Sequence, residues 1–164
     1  MGKKITKMLS LDTAIKISGY AYFENGVLIE SGTIDYSKEK DSEIRFNKMC
    51  ESLLQIINQY KPNIIVIERP PFTKDPHTLI RLSEIIGLAR GYSINKKCEF
   101  IEYGVASWRK FVKDKDDVLP KKRKDLKKWD IEKFIKIFNR NPIDDNEADA
   151  VLIGLARINE FNLL

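Results

Sequence analysis

Two short apolar runs that each end in an acidic residue constrain the fold of this chain more than any other feature. Residues 8–11 (MLSL) lead into Asp12, and residues 64–67 (IIVI) lead into Glu68. Runs of this length and composition are typical of buried strands. A carboxylate at the end of a buried strand costs several kcal/mol unless something pairs with it. We therefore expect the two strand ends to lie close together, with a divalent cation between their carboxylates.

A third acidic residue, Asp149, lies in the segment DDNEADA, just before another apolar run. Its neighbours are small or apolar, so capping of a helix does not explain it. Asp145 is four residues earlier and Asn146 three, and both spacings place side chains on the helical face of Asp149. One of Asp144, Asp145 and Asn146 is expected to cap the helix, and Asp145 or Asn146 is the favoured cap.

Each strand-end carboxylate also has a purely structural explanation. Asp12 can accept hydrogen bonds from the backbone amides of its own turn, and Glu68 can pair with Arg69 or a distant lysine. The metal interpretation is favoured because the first strand of a meander and a strand after a crossover helix are natural neighbours. Oxygen ligands select hard ions such as Mg²⁺ or Mn²⁺, and two such ions roughly 3.5–4 Å apart can hydrolyse a phosphodiester.

The order of the remaining patterns predicts an α/β fold. We expect strands at residues 7–11, 18–23, 27–34, 64–67 and 100–103, with an Asn-Gly turn before the third. We expect helices at residues 43–60, 78–96, 105–112, 129–138 and 146–160, and a loop at 113–126. A meander followed by alternating helices and strands gives a mixed five-stranded sheet flanked by helices. A chain of 164 residues is expected to form a single domain, 1–164.

Basic residues are concentrated between residues 109 and 128 of a chain whose net charge is +5. The residues expected to bind a phosphate backbone are Arg109, Lys110, Lys121, Lys122, Arg123, Lys124 and Lys128. A solvated surface of mixed charge is the alternative, since aspartates interrupt the segment. Carboxylates repel phosphate unless metal ions mediate, so the acidic and basic features together favour metal-dependent chemistry.

Neither the cysteines nor the apolar segments indicate secretion or a membrane. Cys50 and Cys98 have no metal-ligand spacing and are expected to be free core thiols in a reducing compartment. No apolar stretch approaches the ~20 residues of a membrane span, and the first residues do not resemble a signal peptide. We expect a cytosolic protein that does not bind membranes.

With these residues in place, the chain resembles the RuvC-type Holliday junction resolvases of the ribonuclease H-like superfamily, especially the compact versions that phages encode. The resemblance covers nearly the whole chain. It is carried by LSLDT at 9–13, SGYA at 18–21, IVIE at 65–68, GLARG at 87–91, SWRK at 107–110 and DNEADA at 145–150. It implies a ribonuclease H-like fold and a homodimeric endonuclease that uses two Mg²⁺ ions, with Mn²⁺ as a substitute, to nick opposing strands of a four-way DNA junction.

The resemblance also assigns the metal ligands. Asp12, Glu68 and Asp149 correspond to three carboxylates of the family. The cellular enzymes keep a fourth carboxylate three residues before the last one, where this chain has Asn146. The fourth role is therefore assigned to Asp145, which reaches the same helical face.

Four further expectations accompany this resemblance. The basic residue near the scissile phosphate is assigned to Lys128, with Lys121, Lys122 and Lys124 as alternatives. Phe72 either contacts unstacked bases or packs on its own loop. Trp108 is expected in the core. The helix at 78–96 is the expected dimer surface, although its apolar face could instead pack on its own sheet.

Three other functions stay open at this point. The chain could be a nuclease for general branched DNA, such as forks and flaps. It could be a non-catalytic junction-binding module, an idea motivated by Asn146, or an RNA-cleaving relative of ribonuclease H. In each nuclease case the expected setting is a bacterial or phage-infected cell.

Overall fold

A mixed five-stranded sheet organises the part of the chain that the computed structural model describes, residues 6–105 and 107–162. The strands are β1 (Lys7–Asp12), β2 (Ile17–Glu24), β3 (Val27–Asp35), β4 (Ile64–Glu68) and β5 (Glu99–Tyr103). Their order across the sheet is β3-β2-β1-β4-β5. β2 pairs antiparallel with β1 and β3, whereas β4 pairs parallel with β1 and β5. The predicted mixed sheet is confirmed.

Helices flank the sheet as expected, with one boundary corrected. They are α1 (Ser42–Tyr60), α2 (Pro76–Lys96), α3 (Arg123–Phe138) and α4 (Asp145–Asn162), and a short 3₁₀ helix spans Ser107–Phe111. α3 begins at Arg123 rather than at residue 129, so the predicted loop 113–126 ends earlier. The first turns of α3 are mostly charged, and its N-cap residue Lys122 makes no side-chain capping bond. The sequence therefore contains neither an apolar helical pattern nor a capping residue that would indicate a helix start at Arg123.

Two smaller expectations are settled by the same elements. The helix expected at residues 105–112 is the 3₁₀ helix, and residue 106 lies outside the described residues. Cys50 and Cys98 are free and half-buried, each packed against the core between α1, α2 and the sheet. Within the described residues, no helix is both long and apolar enough to cross a membrane.

Different helices pack on the two faces of the sheet. Because successive side chains of a strand point to opposite faces, the position of each carboxylate along its strand decides which face it lies on. Leu9 packs with α1 and α2, whereas Met8 and Val66 pack with α3 and α4. Alternate residues of a strand point to opposite faces. Asp12 therefore shares the face of Met8, and Glu68 shares the face of Val66. Both carboxylates belong to the α4 side of the sheet.

α4 lies unusually close to this face of the sheet. Ser10 on β1 donates a hydrogen bond of 2.6 Å from its Oγ to the carbonyl oxygen of Ala150. A Cβ added at Gly154 would overlap the Phe23 ring and lie 2.7 Å from Ser10 Oγ. Because Gly154 has no side chain of its own to hold the helix away from the sheet, the position of Asp149 relative to β1 is tightly set.

Candidate metal and nucleic-acid site

The carboxyl ends of β1 and β4 bring Asp12 and Glu68 together. The parallel register pairs Leu11 with Ile67, so the next residue of each strand is one of the two acids. A cleft of about 630 Å³ opens at this edge. Its lining includes the four predicted ligands, Asp12, Glu68, Asp145 and Asp149. Sequence reasoning thus selected four acids from three elements that meet at one cleft.

The start of α4 presents the other two carboxylates. Asp144 caps the helix, because its Oδ1 accepts hydrogen bonds from the backbone N–H groups of Asn146 at 2.9 Å and Glu147 at 3.0 Å. The expectation that Asp145 or Asn146 serves as the cap is therefore wrong. Asp145 is the first residue of α4 and lines the cleft, and Asp149 follows one turn later.

Gly19 holds this helix start against the sheet. It pairs with Asp12 across β1 and β2, and a Cβ added to it would overlap the backbone carbonyl of Asn146. Only a residue without a side chain allows α4 to begin this close to β2. Gly19 therefore contributes to the site by allowing α4 to lie close to β2, and not by any chemical group of its own.

A lysine that sequence reasoning missed lies among these acids. The Nζ of Lys127 forms ion pairs with Asp149 Oδ2 and, at 3.2 Å, with Asp145 Oδ2. Lys128, the predicted basic residue, instead points to solvent with its Nζ 3.6 Å from Glu132. The missed signal is helical spacing, since residues 127, 130 and 134 share one face of α3 and both Asp130 and Phe134 are buried. Residue 127 lies outside a helix that begins at 129, so the predicted helix did not include this face.

Burial and mutual repulsion shape the protonation of the acids. Burial raises the pKa of Asp12 to about 6, Lys127 opposes the rise, and Glu68 and Asp145 add to it. Burial also raises the pKa of Asp149 well above its usual range, with the charges of Asp12 and Asp130 adding to the effect and Lys127 opposing it. Positive charge bound nearby would oppose the rise in pKa of both carboxyl groups.

The donor set fits a hard cation. Asp149 Oδ1 is buried and has no hydrogen-bond partner, which is costly for a carboxylate oxygen. Four acids supply only oxygen ligands, the chemistry that Mg²⁺, Mn²⁺ and Ca²⁺ prefer. In the present side-chain conformation, no three acidic, histidine or cysteine groups among residues 6–105 and 107–162 are grouped to hold one ion. Ligation would therefore require these side chains to converge on the ion, and Asp149 Oδ1 is the oxygen that has no other partner.

The remaining predicted residues separate into three groups. Phe72 lines the cleft and is 90% exposed, so it does not pack on its own loop. Lys121 and Arg123 also line the cleft, whereas the exposed residues outside it are Lys110, Lys122, Lys124 and Lys128. Trp108 is fully buried in the core, as expected.

Arg109 differs from its predicted role as a surface DNA contact. It is only 5% exposed and forms a bidentate ion pair with Asp130, so its guanidinium is already engaged inside the protein. It borders the cleft from within. The arginine therefore belongs to the support of the site rather than to the surface that meets DNA.

This chain is similar in sequence to one family of known proteins along almost its whole length. A family described as Crossover junction endodeoxyribonuclease RuvC matches residues 8–156. Relatives of the same description occur in Prochlorococcus marinus strain MIT 9312 and Brachyspira hyodysenteriae strain WA1. The first is 25% identical over 158 residues, covering 94% of this chain and 97% of the relative. The second is 30% identical over 153 residues, covering 90% and 91%.

One solved structure shows the same fold at low sequence identity. It is described as T. thermophilus RuvC in complex with Holliday junction substrate, and it superimposes with a TM-score of 0.72 over 96% of each chain. The two sequences are 13% identical. This likeness supports the ribonuclease H-like architecture that the sequence predicted.

Proposed function

Because the chain belongs to the RuvC family of crossover junction endodeoxyribonucleases, we propose that it resolves four-way DNA junctions by paired nicks. One observation carries the proposal. Acids from β1, β4 and α4 line a single cleft together with exposed Phe72 and basic Lys121 and Arg123. This cleft combines ligands for a metal with groups that contact a nucleic acid.

Membership of the family implies dependence on a divalent metal. We propose two Mg²⁺ ions per site, replaceable by Mn²⁺, and held by Asp12, Glu68, Asp145 and Asp149. Such ions, when bound, activate water and neutralise charge on the phosphodiester. Asp145 is supported as the fourth ligand by its place at the cleft, although Asn146 lines the same cleft. Asp145→Asn and Asn146→Asp are compared by their nicking rates: Asp145→Asn should remove activity, and full activity in Asp145→Asn would contradict the assignment of the fourth ligand to Asp145.

The substrate side of the cleft is formed by aromatic and basic side chains. Phe72 has an exposed ring on which an unstacked base can lie, an interaction worth roughly 1–3 kcal/mol. Lys121 and Arg123 can neutralise phosphates of the same strand. The positive charges outside the cleft extend this surface along α3. Junction binding should consequently weaken as salt concentration rises.

Lys127 is proposed to stabilise negative charge at the scissile phosphate. We expect Lys127→Met to slow nicking about 100-fold at saturating metal, because a preorganised positive donor is lost from the reacting centre. Lys128→Met is the matched control, since its side chain is exposed and its Nζ lies 3.6 Å from Glu132. Single-turnover rates on a labelled junction measure both variants. Equal rates for the two would show that Lys127 has no special role.

A homodimer through α2 is also proposed. Leu82, Ile86 and other residues of one face pack in the protein's own core, but Ile80 and Ile94 on another face are 55% and 75% exposed. A Cβ added at Gly87, midway between them, would meet no atom within 4 Å. An interior helical glycine costs about 1 kcal/mol relative to alanine. A close-packed second copy gives this glycine a purpose that the single chain lacks.

The proposed dimer is tested by introducing a charged residue on the exposed face of α2. We expect Ile80→Asp to convert the protein to monomers without unfolding it, because an interface would bury the new carboxylate. Ile137→Asp on α3 is the control, since that side chain is similarly exposed at 44%. Sedimentation equilibrium measures both. A monomeric wild type, or an Ile80→Asp protein that still dimerises, contradicts this interface.

The setting proposed for this activity follows the family. The chain would act as one nuclease domain in the cytoplasm of a bacterial or phage-infected cell, and we propose a phage source because of its resemblance to the compact versions that phages encode. The match across residues 8–156 supports a single domain.

A panel of substrates tests the proposed function. Purified protein is incubated with a mobile four-way junction, a fork, a linear duplex and an RNA–DNA hybrid, with and without Mg²⁺. We expect symmetric nicks on the junction that require the metal. Equal cleavage of forks would favour a general branched-DNA nuclease, and binding without cleavage would favour a junction-binding module. Cleavage confined to the hybrid would rule out resolution.

A further inference from the structure

A buried ion pair lies directly behind the cleft. Arg109 Nε donates to Asp130 Oδ1 at 2.8 Å, and Arg109 Nη2 donates to Asp130 Oδ2 at 2.7 Å. Asp130 is fully buried, and the guanidinium also lies 4.1 Å from the centroid of the Trp108 ring. Two parallel hydrogen bonds and a stacked ring leave this arginine little freedom.

The pair connects the element after β5 to the helix that carries Lys127. Arg109 belongs to the 3₁₀ helix Ser107–Phe111, and Asp130 belongs to α3. Residues three apart on a helix share a face, so Asp130 and Lys127 point to the same side of α3. The N-terminal turn before them has no side-chain cap. The orientation of Lys127 therefore depends on what holds Asp130.

Stability alone does not explain the pair. A buried ion pair is often no more stabilising than apolar residues of similar volume, because both charges lose their hydration. A bidentate pair does, however, specify one geometry. Here that geometry places Lys127 in contact with Asp145 and Asp149.

We propose that Arg109 and Asp130 form a positioning clamp that sets the Lys127 ammonium against the acids of α4. Arg109 thus contributes to the site as a positioning residue and not as a DNA contact. The placement of Lys127 is a property of the protein without DNA or metal, whereas its kinetic consequence rests on the proposed function. The two can therefore fail separately.

The test replaces the whole pair, since removing one partner would leave a buried charge unpaired and risk unfolding. In Arg109→Met/Asp130→Leu, apolar side chains fill the space of the pair. Lys133→Met is the matched control. Lys133 is a buried cation of α3, 6% exposed, and its Nζ lies 2.9 Å from Asp114 and 3.4 Å from Asp117.

The first readout does not require activity. In protein labelled with ¹⁵N-lysine, the Lys127 ammonium, assigned by its absence in Lys127→Met, should show slow proton exchange. We expect this signal to be lost in the folded clamp variant and kept in Lys133→Met. A folded clamp variant that retains the protected signal overturns the proposal, whether or not the wild type cleaves junctions.

The second readout is the nicking rate. Misplacement of a reacting group by about 1 Å can reduce a rate on the order of 100-fold, so we expect a loss of about 10- to 100-fold at saturating metal and junction. Junction affinity in Ca²⁺ should change little. In a Lys127→Met background the clamp substitutions should cause no further loss, because their effect acts through Lys127. The same loss in both backgrounds would overturn the proposal, whereas a wild type that cleaves nothing would count against the proposed function alone.

Discussion

Asp149→Asn is expected to reduce metal-dependent nicking of a four-way junction by about 1,000-fold while leaving the protein folded. Asparagine keeps the shape of the side chain but removes a charge from the acids that are proposed to hold the metal, and preorganised charge of this kind contributes about 10²–10³-fold to rates. Weaker binding of the proposed ions would reduce the rate further, because the ions activate water and neutralise charge on the phosphodiester. Asp12→Asn should behave in the same way.

The stability of Asp149→Asn is expected to be equal to or higher than that of the wild type, although its activity falls. Burial raises the pKa of Asp149, which means that folding disfavours its charged form. Asparagine removes that penalty, although it also loses the ion pair with Lys127. Thermal unfolding without metal should therefore give a Tm at or above that of the wild type. A variant that nicks at more than about a tenth of the wild-type rate would exclude Asp149 as a ligand.

Gly19→Ala is expected to damage both stability and activity. The added Cβ would overlap the backbone carbonyl of Asn146, which cannot rotate away as a side chain can. Relief requires the start of α4 to move off β2, at a cost of about 3 kcal/mol in the free energy of unfolding. Asp145 and Asp149 move with that helix, so nicking should fall on the order of 100-fold.

Gly104→Ala is the matched control for this substitution. Its added Cβ would lie 3.6 Å from Ser107 Oγ, an ordinary contact distance, and we expect a change of less than about 0.5 kcal/mol. Urea unfolding and junction nicking measure both variants. If Gly19→Ala unfolds and cleaves like Gly104→Ala, the close approach of α4 to β2 does not support the site.

The strand-end acids could be predicted because their positions depend on regular geometry. Alternation along a strand places Asp12 with Met8, and parallel pairing aligns the carboxyl ends of β1 and β4. The order of patterns along the chain was sufficient to predict the mixed sheet. Asp149 was identifiable because an acid among small and apolar residues has no local explanation.

The missed features depend on tertiary contacts that local patterns do not encode. The first turns of α3 are charged on nearly every side, so the face that Lys127 shares with Asp130 and Phe134 becomes evident only when the start of the helix at Arg123 is known. Arg109 follows Trp108 in a basic segment, and nothing nearby in sequence reveals that Asp130 neutralises it inside the core. Three polar residues in a row offered equivalent caps for α4, and only the structure shows that Asp144 accepts the hydrogen bonds of the first turn.

Linearisation of a plasmid shows directly whether these acids hold metal for paired cleavage of a junction. A supercoiled plasmid that extrudes a four-way junction from an inverted repeat is incubated with wild-type protein and Mg²⁺. Two nicks within the lifetime of one complex convert it directly to a linear molecule, and we predict that this product forms with Mg²⁺ and is lost in EDTA and in Asp149→Asn. Linear product formed equally well without metal, or relaxed circles alone, would contradict the account.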